Sequence, residues 1–428
     1  MLDIKLIRES PQIIRDDLRK RGDEEKLALL ERVISMDREW REVVERANKF
    51  KHERNVISKR ISELKREGKD AAAEIKRASE LPKEIEDVEA KRKDLEVQIR
   101  EALMRLPNIL HESVPVGKDD TENVEVRRWG EPAEKDFDTK SHGELMESFG
   151  LADFERARKV AGAGFLYMLG PLVLLDQAII NFALDFLVER GYVPVEPPFM
   201  LRREPYEGVV DLADFEDVMY KIEGEDYYLI ATSEHPIAAM YQGEIIDESE
   251  LPLKYVGFST NFRKEIGAHG VDTRGLFRMH QFNKVEQFIF CKPEESWQYH
   301  EELIENAEEL HQQLEIPYRI VNVCTGDIGT VAAKKYDLEA WSPRQRKYVE
   351  VVSCSNCTDY QARRLRIRGG KVGGEKRALH TLNSTALATS RTLVAILENN
   401  QNADGSVTVP KVLRPYVGGM EVITAKKQ

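Results

Sequence analysis

The feature that most constrains this chain is a run of apolar residues near its N-terminus at alternating three- and four-residue spacing. Val33, Met36, Trp40, Val43, Ala47, Phe50, Arg54, Ile57, Ile61 and Leu64 keep that rhythm, with Arg54 its one polar member, and such a seam calls for a second helix laid along it. A second register follows at Ala78, Leu81, Ile85, Val88, Arg92, Leu95, Ile99, Ala102 and Leu106, and Glu67-Gly68-Lys69-Asp70 between them has the composition of a turn. Two heptad helices joined by a turn fold back most economically as an antiparallel hairpin, in which residues 33–64 would reach roughly 48 Å. Pro82 either opens the second helix at its first turn, leaving 71–80 in an extended tip, or kinks a continuous helix; the first is the preferred expectation.

Charge divides the chain near the same place. Residues 1–110 carry 27 Lys and Arg against 25 Asp and Glu, whereas the remainder carries 37 against 51, so the net charge of −12 belongs to the second part. Within the hairpin, residues 46–69 hold nine bases (Arg46, Lys49, Lys51, Arg54, Lys59, Arg60, Lys65, Arg66 and Lys69) and only three acids. A charged heptad hairpin is most often a dimerisation element or a solvated spacer. The basic excess favours a lever that reaches for phosphate. Pro107, Pro115 and the polar run Val116 to Asp138 mark the exit from the arm, which predicts a first domain over 1–110, its arm spanning about 30–106, and a second over 111–428.

The second part reads as α+β. Apolar helices are expected at about 172–190, closed by Gly191, and at 295–314; strand-like runs occur at Tyr227 to Ile230, Tyr255 to Arg263, Met279 to Phe290 and Tyr348 to Cys354. Strands do not alternate regularly with helices, which favours an antiparallel sheet over a doubly wound parallel one. Four cysteines in 428 residues, with no basic and apolar leader, argue against a disulfide scaffold and against secretion. The longest uncharged stretch, Ala161 to Leu175, is 15 residues and contains Pro171, short of the ~18 a spanning helix needs, so no membrane span is expected.

Neither common phosphate loop is present. Cys354-x-x-Cys357 is half of a zinc site, with Cys291 and Cys324 lone and distant, so no zinc is expected. The informative stretch runs from Thr260-Asn261-Phe262-Arg263-Lys264-Glu265, through a loop containing Gly267, Gly270, Asp272, Arg274 and Gly275, to Phe277-Arg278-Met279-His280-Gln281-Phe282-Asn283-Lys284-Val285-Glu286. If each flank is a strand, Arg263 points with Glu265, and Phe282 with Glu286 about 13 Å away. An arginine, an aromatic plane and two carboxylates on one face suit a ligand with a phosphate, a flat base and an ammonium or hydroxyl. Singly, each residue reads better as a surface ion pair or a core ring; the combination reverses that.

This segment resembles motif 2 of the class II aminoacyl-tRNA synthetases. Gly191-Tyr192-Val193-Pro194-Val195-Glu196-Pro197-Pro198-Phe199 resembles motif 1, with Pro198 in the place of its proline, and Asn383-Ser384-Thr385-Ala386-Leu387-Ala388-Thr389-Ser390-Arg391 resembles motif 3. With the N-terminal arm, Thr232-Ser233-Glu234, Tyr336 to Trp341 and Glu350 to Asn356, the likeness to the seryl branch of that family runs end to end. Ser233 and Ser384 resemble the archaeal and eukaryotic form.

The resemblance implies a class II antiparallel sheet flanked by helices, a homodimer contact through motif 1, and a cytoplasmic enzyme. It also implies activation of L-serine by ATP with Mg²⁺, then transfer to tRNA(Ser), with selenocysteine tRNA as a further candidate. The implied ATP site is Arg263, Lys264, Glu265, Met279, Phe282, Glu350, Val351, Val352, Ser353 and Arg391. Within it, Arg263 and Arg391 are the catalytic cations, Glu265 and Phe282 hold adenine, and Glu350 with Ser353 holds Mg²⁺. The implied serine site is Thr232, Ser233, Glu234, Arg263, Glu286, Asn383 and Thr385. Asn383 to Thr385 could at the same time cap a helix. The basic segment Arg363 to Arg377 is expected near the triphosphate or the tRNA acceptor end. A carrier-protein ligase and a non-catalytic nucleic-acid-binding relative stand as alternatives.

Overall fold

The computed structural model describes residues 1–132, 135–265, 275–371 and 373–425, and side chains at all of these except 213 and 214. The chain divides into two compact units, Met1–Pro107 and Asn108–Gln428. The division falls three residues before the expected boundary, because Asn108 already belongs to the second unit: its side-chain amide donates to the Val331 and Cys357 carbonyls, and Leu110 packs with Val114, Val323 and Ile328.

In the first unit two short helices, α1 (Ile4–Glu9) and α2 (Pro11–Arg21), precede the long hairpin of α3 (Glu24–Arg66) and α4 (Ala72–Arg105). The Asp23 side chain caps α3 by accepting from the Lys26 amide at 2.9 Å. At 43 residues α3 is about 64 Å long. The expected seam is the buried one, with Val33, Met36, Val43, Ala47 and Leu64 facing Leu81, Val88, Leu95, Ile99 and Ala102. Arg54 escapes the seam to solvent.

Pro82 departs from the preferred expectation. Residues 72–80 are helical and Pro82 lies inside a continuous α4. Arg77, five residues earlier, binds Glu84 on the far side of the proline at 2.6 Å and Glu53 on α3 at 2.7 Å. With Leu81 fully buried in the seam, that clamp holds the turn whose backbone hydrogen bond a proline removes.

The second unit is built on an eight-stranded sheet of β1 (Val124–Trp129), β2 (Val193–Val195), β3 (Leu253–Phe262), β4 (Gln281–Cys291), β5 (Tyr318–Asn322), β6 (Lys334–Ser342), β7 (Lys347–Asn356) and β8 (His380–Ala388), in the spatial order β1-β5-β6-β7-β8-β4-β3-β2. Every pairing is antiparallel except that of β2 with β3. The expected α+β class and antiparallel sheet are therefore present. One edge strand, β1, falls within the run expected to be only an exit segment. Asn383 to Thr385 lie inside β8 rather than capping a helix.

Three helices cover one face of the sheet: α5 (Pro171–Val188), α7 (Ser296–Gln313) and α9 (Thr389–Asn399). Leu175, Ile179 and Phe182 of α5 and Leu303, Ala307 and Leu310 of α7 share a core with Val285, Ile289 and Cys291 of β4. By length and composition α5 could cross a membrane, with 18 residues and a mean hydropathy of 1.7. Its inner side is core, while Val173, Leu174 and Val188 stand exposed on its outer side.

Candidate active site

Parity decides which side chains reach the opposite, front face. In β4 the odd-numbered residues turn back into the core, and Phe282, Lys284, Glu286, Phe288 and Phe290 turn forward. The last two are covered by α6 (Glu234–Ala239) and α8 (Tyr360–Leu365). Phe282, Lys284 and Glu286 are left as the floor of an open cleft of about 450 Å³.

Simple alternation would not complete the site on the neighbouring strands. Val351 is an extra residue in β7, between the partners of Leu338 and Glu339, and Ala386 is an extra residue in β8, between the partners of Val285 and Glu286. Each bulge slips the alternation by one. As a result Glu350 faces the cleft together with Ser353 and Ser355, and Asn383 and Thr385 together with Ala388. Thr385 stands opposite Glu286 in register, and its hydroxyl donates to Glu286 Oε2 at 3.3 Å.

Arg263 and Glu265 both line the cleft, though not by strand alternation as expected. β3 ends at Phe262, and Glu265 turns inward because its φ is 46°. Gly267, Gly270, Asp272 and Arg274 lie outside the described residues. The Arg263 guanidinium donates to the Ala231 carbonyl at 3.3 and 3.4 Å and lies 5.3 Å from the centre of the Phe282 ring. Burial first, and then the like charge of Arg391, hold its pKa below the ordinary value. Arg391 in turn donates to the Glu350 carbonyl at 2.9 Å and its carboxylate at 3.2 Å, and lies over Phe277. Two guanidiniums that raise each other's energy favour an anion between them.

At the other end Thr232, Glu234, Glu286, Asn383 and Thr385 converge. Glu234 reaches the floor because β3 carries Gly257 opposite Glu286. A Cβ there would meet Ile237 Cδ1 at 2.5 Å and Ser233 Oγ at 2.7 Å, so only glycine lets the start of α6 lie this close. Gln361 donates to Glu234 Oε1 at 2.9 Å and accepts from Thr381 at 2.7 Å. Burial and the nearby Glu286 push the Glu234 carboxyl up to about 7. His235 is held well below its ordinary value, by burial first and then by Lys284 and Arg263, so it is a neutral ring bonded to Tyr206.

Three expected site residues point elsewhere. Ser233 is buried with its hydroxyl on the Gly257 carbonyl, where it fastens α6 to the sheet. Val352 faces the core, one step out of phase with Val351. Lys264 fixes the chain by donating its backbone N–H to the Val218 carbonyl, and its side chain is not in the cleft. None of the described bases of the segment Arg363 to Arg377 lines the cleft. Arg364 is buried against Tyr360 and donates to the Val210 carbonyl, Arg366 pairs with Glu204, and Arg377 with Glu248 and Glu294. Conversely, Lys284 and Gln361 were not singled out from sequence. Lys284 could have been, since it has the period-two spacing of Phe282 and Glu286.

The donor set at Glu350 and Ser353 is a carboxylate and a hydroxyl, which suits a hard divalent cation. Behind Ser353, and paired with it in register, Asp337 is buried with Oδ1 lacking any hydrogen-bond partner among the described residues. Burial raises its pKa above the ordinary carboxylate range.

Comparison with known proteins places these features. Residues 218–400 match the tRNA synthetase class II core domain (G, H, P, S and T), and residues 1–110 match the seryl-tRNA synthetase N-terminal domain. A serine–tRNA ligase of Methanocella arvoryzae is 59% identical over 425 residues, covering 99% of this chain and 100% of that one. The crystal structure of seryl-tRNA synthetase from Pyrococcus horikoshii complexed with ATP superposes with a TM-score of 0.97 at 50% identity, covering 100% of both chains. The cytoplasmic serine–tRNA ligase of Naegleria fowleri in complex with AMP gives a TM-score of 0.92 at 39% identity, covering 100% of this chain and 99% of that one.

Proposed function

Since the chain belongs to the seryl-tRNA synthetases, class II ligases that form aminoacyl-tRNA, we propose that its cleft works by positioning and charge neutralisation, without a side-chain nucleophile. The serine carboxylate attacks the α-phosphorus of ATP in line and pyrophosphate leaves; the terminal ribose of tRNA(Ser) then takes the seryl group from the adenylate. The fork of Arg263 bridges the carboxylate and the α-phosphate, where charge builds in the transition state. Phe282 stacks on the adenine, Glu265 accepts from it, and Arg391 takes the outgoing phosphate side. Glu350 and Ser353 would hold Mg²⁺, which when bound neutralises phosphate charge.

Thr232 and Glu234 take the serine ammonium; Glu286 and Thr385 meet its hydroxyl. Alanine would leave Glu286 Oε1 buried without a hydrogen bond, so it should be rejected by on the order of 10⁴. The observation that carries this reading is the convergence of Phe282, Glu286 and Thr385 on one face with Arg263 above them.

The hairpin of the first unit is proposed to hold tRNA by backbone and shape. Among the described residues Arg46, Arg54, Lys59, Lys65 and Arg66 make no ion pair, while Lys49, Lys51, Arg60 and Lys69 pair with acids. The exposed Val173, Leu174 and Val188 of α5 and Val193 of β2 support a homodimer through this surface. The four cysteines are buried free thiols, which suits the cytoplasm. Pyrophosphate exchange into ATP over a panel of amino acids tests the cleft, and charging of tRNA(Ser) and selenocysteine tRNA tests the second step. Serine-dependent exchange that survives Glu286→Gln and Arg263→Ala unchanged would refute these assignments.

A further inference from the structure

Lys284 is a buried cation on the floor of the cleft that the reaction as described does not use. Its side chain is 9% exposed and that of Glu286 is 2% exposed, and Nζ lies 2.5 Å from Glu286 Oε2. Strand parity forces the meeting, because residues two apart in β4 share a face. The register partners of Lys284, Ser259 on β3 and Ala388 on β8, bring it no carboxylate. Thr385 donates to the same oxygen, Oε2. Both protein contacts of the Glu286 carboxylate therefore fall on one oxygen, and Oε1 keeps no hydrogen bond among the described residues.

We propose that Lys284 is a positioning residue of the amino-acid subsite, clamping Oε2 so that Glu286 stays ionised with Oε1 presented to the substrate hydroxyl. The inference rests on Glu286 being the hydroxyl acceptor. The charged groups around Glu286 are Lys284 on its own strand, Glu234 from α6 and Arg263 from the end of β3, while β8 contributes the neutral Thr385 and β3 places Gly257 opposite. Two buried carboxylates this near compete to ionise. Without Lys284, a proton on one of them is the cheapest remedy. A protonated Glu286 is a weaker acceptor, and discrimination for a hydroxyl over a methyl falls.

The test uses the full chain with Lys284→Met, Lys284→Arg, Glu286→Gln and the double variant Lys284→Met/Glu286→Gln. Pyrophosphate exchange with serine and with alanine is followed from pH 6 to 9, alongside KM for ATP. Lys284→Met should raise the serine KM about tenfold or more at pH 7 and narrow the serine-to-alanine ratio, with ATP KM little changed. The defect should shrink as pH rises and ionises Glu286, Lys284→Arg should recover most of the loss, and adding Lys284→Met to Glu286→Gln should cost little more. A fully additive double variant, or a loss equal for serine, alanine and ATP at every pH, would assign Lys284 to packing and overturn the proposal. If Glu286→Gln itself leaves serine KM unchanged, the hydroxyl-acceptor reading fails; if only Lys284→Met is silent, the positioning role fails alone.

Discussion

Glu234 sets an expectation for how serine use depends on pH. Its carboxyl is raised to about 7, by burial and then by Glu286, so below that pH it is mostly neutral and offers the ammonium no countercharge. The serine KM should therefore climb by up to about tenfold per pH unit as pH falls below 7, and level off above it. Glu234→Gln should flatten the profile while raising KM throughout, as read by pyrophosphate exchange from pH 6 to 8.5. Residue identities of this kind were legible in the sequence where spacing met chemistry: Phe282 and Glu286 at period two, or Thr385 within motif 3. Contiguity misled where parity rules, since Lys264, Ser233 and Val352 each neighbour a cleft residue yet turn to the scaffold or the core.

At the scale of elements, the hairpin was legible because a heptad seam is a one-dimensional signal, whereas Pro82 was misjudged because its rescue comes from Arg77 bridging α3 and α4. Pro82→Ala should restore the missing backbone bond, worth about 3 kcal/mol at most, and slow hydrogen exchange of amides near 78–86 by up to about 100-fold. Serine-dependent exchange should not change. β3, β4 and β7 announced themselves by their aromatic and β-branched residues, although β1 and β5, of similar composition, were not expected. β8 did not, since Asn383, Ser384 and Thr385 read as a cap, and no local pattern marks the bulges at Val351 and Ala386, which exist only relative to partner strands.

For the whole molecule, the tRNA-holding role proposed for the hairpin makes the two half-reactions separable by experiment. Replacing residues 46–81 by a short flexible turn should leave adenylate formation intact and abolish charging of tRNA(Ser); full charging would remove the lever reading. Lys59→Ala/Lys65→Ala/Arg66→Ala should weaken tRNA binding and lower the salt dependence of log K by about two to three. Val173→Glu/Leu174→Glu on the outer face of α5 should yield monomers by light scattering, and unchanged dimers would place the contact elsewhere.

The two bulges leave a trace that no single substitution would reveal. In a saturation scan scored by growth, tolerance along β7 and β8 should beat every second position, then skip a beat at Val351 and again at Ala386 before resuming. Such a hiccup in the rhythm, at both places, would be the genetic fingerprint of a sheet that changes which side it shows partway along its length.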